Sequence, residues 1–199
     1  MLTILPALIN YAFVTSVTPG PNNMMLMASG ANFGFRRTIP HMLGVSLGHM
    51  FMVSLVGLGL AGIFTTYPVA QTLLTVVSVV YLLFLAWKIA NAAPPQEAAT
   101  TSKPFTFLQA AAFQWVNPKA WYMGVTAQTV FAPPETGLVG VFTVALVFAL
   151  VNLPSVSLWA GLGVQVRKLL SNRARLRAFN WTMAALLVLS MYPVVKDAF

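Results

Sequence analysis

Thr18-Pro19-Gly20-Pro21-Asn22-Asn23 and Asn117-Pro118-Lys119 each interrupt a long hydrophobic run. Pro19 and Pro21 lack an N–H, and Gly20 between them tolerates backbone angles closed to other residues, so the first stretch should unwind a helix and not merely bend it. Pro21 suits the first turn of a restarted helix. So does Pro118 behind Asn117, a residue type that caps helices. A bilayer interior has no water for freed backbone groups, so broken helices persist there only against protein or an aqueous cavity. Paired breaks in the two halves of a chain point to a transporter's binding site.

The runs around the breaks make this a membrane chain. Of 199 residues, 58% are hydrophobic and 7% charged, against about 25% charged in soluble domains. Mean hydropathy is +0.80. The length suits a single domain, 1–199, of about six spans of about 20 residues each. The spans are expected at 4–31, 40–64, 69–90, 105–131, 138–162 and 179–195. The expected fold is therefore all-α integral membrane, with six transmembrane helices as two inverted three-helix repeats and helices 1 and 4 broken. The repeats are 1–90 and 107–199, joined by a cytoplasmic linker, 91–106, rich in proline. Three spans per half is an odd number, so the second half enters the membrane inverted. Residues 34–37 read as a short loop, 65–68 and 133–137 as turns. Asn152-Leu153-Pro154-Ser155 interrupts span five, as a hinge at Asn152 and Pro154, as part of the cavity wall, or as a simple proline kink.

Eleven Lys and Arg against three acids give a formal charge of +8. Arg36, Arg37, Lys88, Lys103, Arg167, Lys168, Arg173, Arg175 and Arg177 fall on one side of the expected topology and only Lys196 on the other. Basic residues in short loops stay cytoplasmic, so both termini are expected periplasmic or extracellular. With that role for the charge, and no basic–aromatic module, nucleic acid is not an expected partner. The basic cluster from Arg167 to Arg177 could also meet anionic lipid headgroups. Zero cysteines remove disulfides, thiolate metal sites and thiol redox chemistry. No basic residue precedes Arg36, so the first span reads as retained and not as a cleaved signal.

Thr18, Asn22 and Asn23 can satisfy loose backbone groups or face a polar ligand. The restarted helix points free N–H groups and a partial positive charge into the gap, which suits a carboxylate. Lys119 is the one basic residue well inside an expected span, and no acid lies in any span to pair with it. Such a charge normally faces an interior cavity, the alternative being a lysine that snorkels to the interface. The candidate substrate-binding set is thus Thr18, Pro19, Gly20, Pro21, Asn22, Asn23, Asn117, Pro118 and Lys119. His49 follows Gly44-x-x-x-Gly48, a spacing for close helix contact. It is the visible candidate for proton coupling, or else a structural histidine. Gln109, Gln114 and Gln128 flank the second break, with their facing left open.

TPGPNN at 18–23, GFRR at 34–37, YLLFLAWK at 81–88 and FQWVNPKAW at 113–121 resemble the lysine exporter (LysE/RhtB) family of bacterial amino-acid efflux proteins, across essentially the whole chain. The threonine/homoserine and cysteine/O-acetylserine branches are the nearest in pattern. The resemblance implies an inner-membrane secondary exporter of amino acids or derivatives, driven by an ion gradient without ATP and usually by proton antiport. It implies no enzyme activity. The family's motif positions fall on Pro19, Gly20, Pro21, Asn22, Asn117, Pro118 and Lys119. Ala110 to Ala112 stand where a glycine is expected, which weakens the case for close packing there. Expected partners are a small amino-acid substrate and membrane lipid, with a homodimer as a candidate assembly. No cofactor and no metal are expected. The competing readings are a non-transporting structural or assembly subunit, a redox or metal-handling membrane protein, and a membrane hydrolase. The last two lack the Cys pairs, His–acid clusters or nucleophile–base motif they need.

Overall fold

The computed structural model describes residues 3–92, 103–170, 172–192 and 196. The first interrupted run forms α1 (Leu5–Val17) and α2 (Pro21–Phe33), with Pro21 opening α2. At about 1.5 Å per residue each is about 20 Å long, too short to cross a core about 30 Å thick alone but long enough in series. Gly34, at φ 82°, is the only residue between α2 and α3 (Phe35–Leu55). A left-handed glycine reverses the chain in a single step, so residues 35–37 form the first turn of α3 and not the loop the sequence suggests.

α3 continues into a π-helical turn, Val56–Leu60, where Gly59 has φ 107°. The short α4 (Gly62–Thr66) then leads through Tyr67 to α5 (Pro68–Ala90). Most of the expected linker, residues 93–102, lies outside the described residues. The second interrupted run forms α6 (Phe107–Phe113), a 3-10 turn at Gln114–Val116 and α7 (Pro118–Phe131). A 3-10 turn at Pro134–Thr136 precedes α8 (Gly137–Leu169), and α9 spans Arg173–Leu189.

Among the described residues all regular structure is helical. Three stretches are long and apolar enough to cross a membrane by themselves: Phe35–Leu60, Pro68–Ala90 and Pro134–Leu169. Their outer faces expose apolar side chains in helical register, as with Val69, Leu73, Val76 and Val80 on α5. A surface of that kind suits lipid and not water.

The expected interruption of span five is absent. α8 runs through Pro154 to Leu169, past the expected end at 162. Beside the proline Ser155 Oγ donates to the Val151 carbonyl at 2.8 Å and Ser157 Oγ to Leu153 at 2.7 Å. Arg167 and Lys168 therefore sit on the last turn of α8, where they complement its C-terminal dipole. Arg173, Arg175 and Arg177 lie on the first turns of α9, capped by Asn172, whose side chain accepts from the Arg175 N–H at 2.9 Å. The basic cluster is two helix ends and not a loop, and the sixth helix starts earlier than expected.

Two close crossings hold the molecule together. A Cβ added at Gly44 or Gly48 of α3 would overlap Phe107, Ala110 or Ala111 of α6. The G-x-x-x-G contact is therefore real, and Ala110 and Ala111 of α6 lie against it. The second crossing joins α2 to α8, where a Cβ at Gly30 would overlap the Ala160 carbonyl and one at Gly163 the Met27 carbonyl. α5 and α9 pack on each other, sharing a core of Leu82, Leu85, Ala184 and Leu187 with Met25 and Phe113.

Candidate functional site

A helix that stops leaves its last carbonyls without partners. At the end of α1 other elements satisfy them. Asn23 Nδ2 donates to the Ser16 and Thr18 carbonyls, both at 2.8 Å. Trp159 of α8 donates from Nε1 to the Val17 carbonyl at 3.1 Å. Lys119 Nζ reaches from α7 to the Thr18 carbonyl at 2.8 Å, Thr18 Oγ1 at 2.9 Å and the Pro19 carbonyl at 3.3 Å. An ammonium has three N–H donors, and each has an oxygen here. Lys119 thus points inward and compensates its charge on the negative end of α1.

Gly20 needs its lack of a side chain for space and not for angle. Its φ of 179° is ordinary extended backbone, which corrects the expected conformational role. A Cβ there would stand 2.8 Å from Lys119 Cδ and 3.1 Å from Nζ. The glycine leaves the lane through which the lysine passes.

A second bridge joins the breaks. Asn22 Nδ2 donates to Gln114 Oε1 at 2.9 Å, and Gln114 Nε2 donates back to Asn22 Oδ1 at 3.2 Å and to the Ala110 carbonyl at 2.9 Å. Of the three flanking glutamines, Gln114 is therefore the one at the site. Gln109 completes a capping box with Thr106, and Gln128 donates to the Val53 and Val141 carbonyls. Asn117 occupies the N-cap position of α7, yet its side chain makes no capping bond. Its Oδ1 is buried without a partner, a correction to the expected cap.

Between the two breaks lies a cavity lined by polar side chains of α1, α2, α3 and α8 and by Asn117 and Lys119 of the second break. Its volume is about 20 Å³, room for roughly one water. His49 enters it from α3, buried and edge-on to Phe148 at 5.3 Å. Asn152 enters from α8 and donates to Ser16 Oγ at 3.1 Å. Pro154, paired with it in the sequence reading, does not line the cavity.

The model of the LysE type translocator matches residues 13–190, from within α1 to the end of α9. The chain belongs to the LysE-type translocator family. LysE-type relatives include cysteine/O-acetylserine efflux proteins of Escherichia coli strain K12 and Shigella sonnei strain Ss046, each 34% identical over 94% of both chains. One from Escherichia coli O139:H28 is 33% identical over the same share. No solved structure matches the chain. Membership makes the protein a membrane translocator and not an enzyme.

In this LysE-type chain, of the sequence-predicted residues Gly20, Asn22, Asn23, Asn117 and Lys119 line the cavity, while Thr18, Pro19, Pro21 and Pro118 do not. His49 and Asn152 line it too. Ser16 and Trp159 escaped the sequence reading, because a lone serine or tryptophan in an apolar run carries no local signal of the carbonyl it will meet. Gln114, a polar amide beside a helix break, did carry one.

Proposed function

We propose that the protein exports a small amino acid or derivative from the cytoplasm, of the cysteine/O-acetylserine or threonine/homoserine type, as a secondary transporter without ATP. The observation that carries this is the meeting of two interrupted helices, through Lys119 on Thr18 and Pro19 and Gln114 on Asn22, around one polar cavity. The relatives suggest the substrate class, since they are cysteine/O-acetylserine efflux proteins. The cavity as it stands admits about one water, so in this reading the two halves part to admit the substrate, whose carboxylate then sits at the amino end of α2, where the N–H groups of Asn22 and Asn23 have no carbonyl one turn back. A carboxylate is a stronger partner for an ammonium than a carbonyl is, so its arrival draws Lys119 away from α1 and loosens the strap between the breaks.

The architecture we propose is six spans in two inverted repeats in the bacterial inner membrane, with both termini outside the cytoplasm. Reciprocal packing supports it, since α1 and α2 of the first half lie along α8 of the second, while α6 and α7 lie along α3. Export then proceeds by rocking one half against the other around the cavity, with proton antiport as the coupling. The test is counterflow of labelled amino acids into proteoliposomes, alongside amino-acid export from dipeptide-loaded cells. The wild type is expected to move cysteine or O-acetylserine, and Lys119→Ala to lower the rate about tenfold or more with membrane insertion intact. A well-inserted wild type that moves no amino acid would leave the structural-subunit reading in its place. Undiminished transport by Lys119→Ala removes the lysine from the site.

A further inference from the structure

Three of the residues lining the cavity each carry a buried polar atom that no neighbour serves: Asn117 Oδ1, Asn152 Oδ1 and His49 Nε2. Their residues are 2%, 5% and 2% exposed, and they come from three elements, the second break, α8 and α3. An unserved buried polar atom costs about 1–3 kcal/mol, so three on residues around one small space form an expensive arrangement unless a ligand completes it. Two of the three are amide oxygens and can only accept. The orientation of Asn152 is fixed by its own NH2, which donates to Ser16 Oγ. Neutral His49 can also accept at Nε2. A water molecule has only two hydrogens to offer. An ammonium group has three and accepts nothing.

We infer that Asn117, Asn152 and His49 form the subsite for the substrate's α-ammonium group, and that a proton on His49 excludes that group. The inference rests on the reading of the cavity as an amino-acid site and fixes the substrate's polarity within it. The carboxylate lies toward α2 and Lys119, and the ammonium toward α3 and α8. Dipoles alone hold the cation, since among the described residues no acid lines the cavity. A protonated His49 has no lone pair to offer and repels the ammonium, so proton and substrate take turns at one atom. Mutual exclusion of this kind is the minimum that exchange of substrate for proton requires. Lys119, on α7, is the other ionisable group lining the cavity. Tyr11 of α1 packs on the same Phe148 ring as His49, and the lining residues of α2 and α8 are neutral amides and a glycine.

The experiment measures cysteine counterflow in proteoliposomes and its competition by 3-mercaptopropionate, which keeps the carboxylate and thiol but lacks the amine. Wild type should prefer cysteine by about 100-fold or more, as sites that hydrogen-bond a polar group reject analogues without it. Asn152→Leu and Asn117→Leu should raise KM for cysteine about tenfold while competition by 3-mercaptopropionate holds, so the preference collapses. Asn152→Asp, which restores an acceptor, should keep the preference and controls for misfolding. Lowering the pH until His49 takes up a proton should raise the wild-type KM, and His49→Gln should flatten that dependence. Equal weakening of both ligands, or a pH dependence that survives His49→Gln, overturns the inference while leaving the exporter reading intact. A wild type that moves no amino acid overturns the exporter reading itself.

Discussion

Gly20 and Lys119 form one unit, because the lysine tail crosses the space that a side chain at position 20 would fill. Alanine has no conformational objection to φ 179°. The added methyl instead meets the flexible end of Lys119, which can swing aside. Gly20→Ala should therefore change thermal stability little, within about 1 kcal/mol, while lowering transport about tenfold, in the manner of Lys119→Ala. Melting in detergent and counterflow on the same preparation check it; a large loss of stability with transport per folded molecule unchanged would show that the glycine serves packing alone. The chemistry of this unit was legible in the sequence, since an intramembrane lysine without an acid must find oxygens or a ligand. Its first partners were not. The lysine meets carbonyls about one hundred residues away in the chain, and no local pattern announces a carbonyl that becomes free only when α1 stops. The orphaned oxygen of Asn117 escaped for the same reason: asparagine ahead of proline reads as a cap, and only the fold turns it toward the cavity.

At the level of elements, close approach of backbones decides where the broken helices lie. α2 meets α8 through Gly30 and Gly163, and at both a Cβ would strike a carbonyl of the opposite helix, which cannot swing away. Gly163→Ala must push α8 off α2 and should destabilise the protein by about 1–3 kcal/mol. Gly161→Ala is the matched control, two residues earlier on the same helix with nothing within 4 Å of its added Cβ. It should be neutral or stabilising by up to about 1 kcal/mol, the gain in helix propensity. Equal effects from the two substitutions, measured by thermal unfolding in detergent, would mean that the crossing does not depend on Gly163. Gly44 and Gly48 were legible because four-residue spacing marks one helix face. Gly30 and Gly163 were not, because their pairing runs between helices and neither has a small partner at that spacing in its own helix. The misread of span five has a related origin. Pro154 looks like a breaker, but α8 runs through it without interruption to Leu169.

Across the whole molecule the proposed inverted repeat would bring the cationic helix ends to one face. Arg36 and Arg37 at the start of α3, Lys88 at the end of α5, and Arg167 and Lys168 at the end of α8 should all be cytoplasmic. Tyr67 between α4 and α5, and Glu135 between α7 and α8, should be outside. A chain with zero cysteines makes this directly measurable, because each introduced thiol is the only one. Glu135→Cys and Tyr67→Cys, both at exposed turn positions, should react with a membrane-impermeant maleimide in intact cells. Lys88→Cys and Lys168→Cys should react only after permeabilisation. Labelling of positions 135 and 168 from the same side would place both ends of α8 on one face, so α8 could not cross the bilayer as a single helix. The inverted-repeat architecture would fall with it, because α8 is the long helix of the second half on which both segments of the first interrupted run rest.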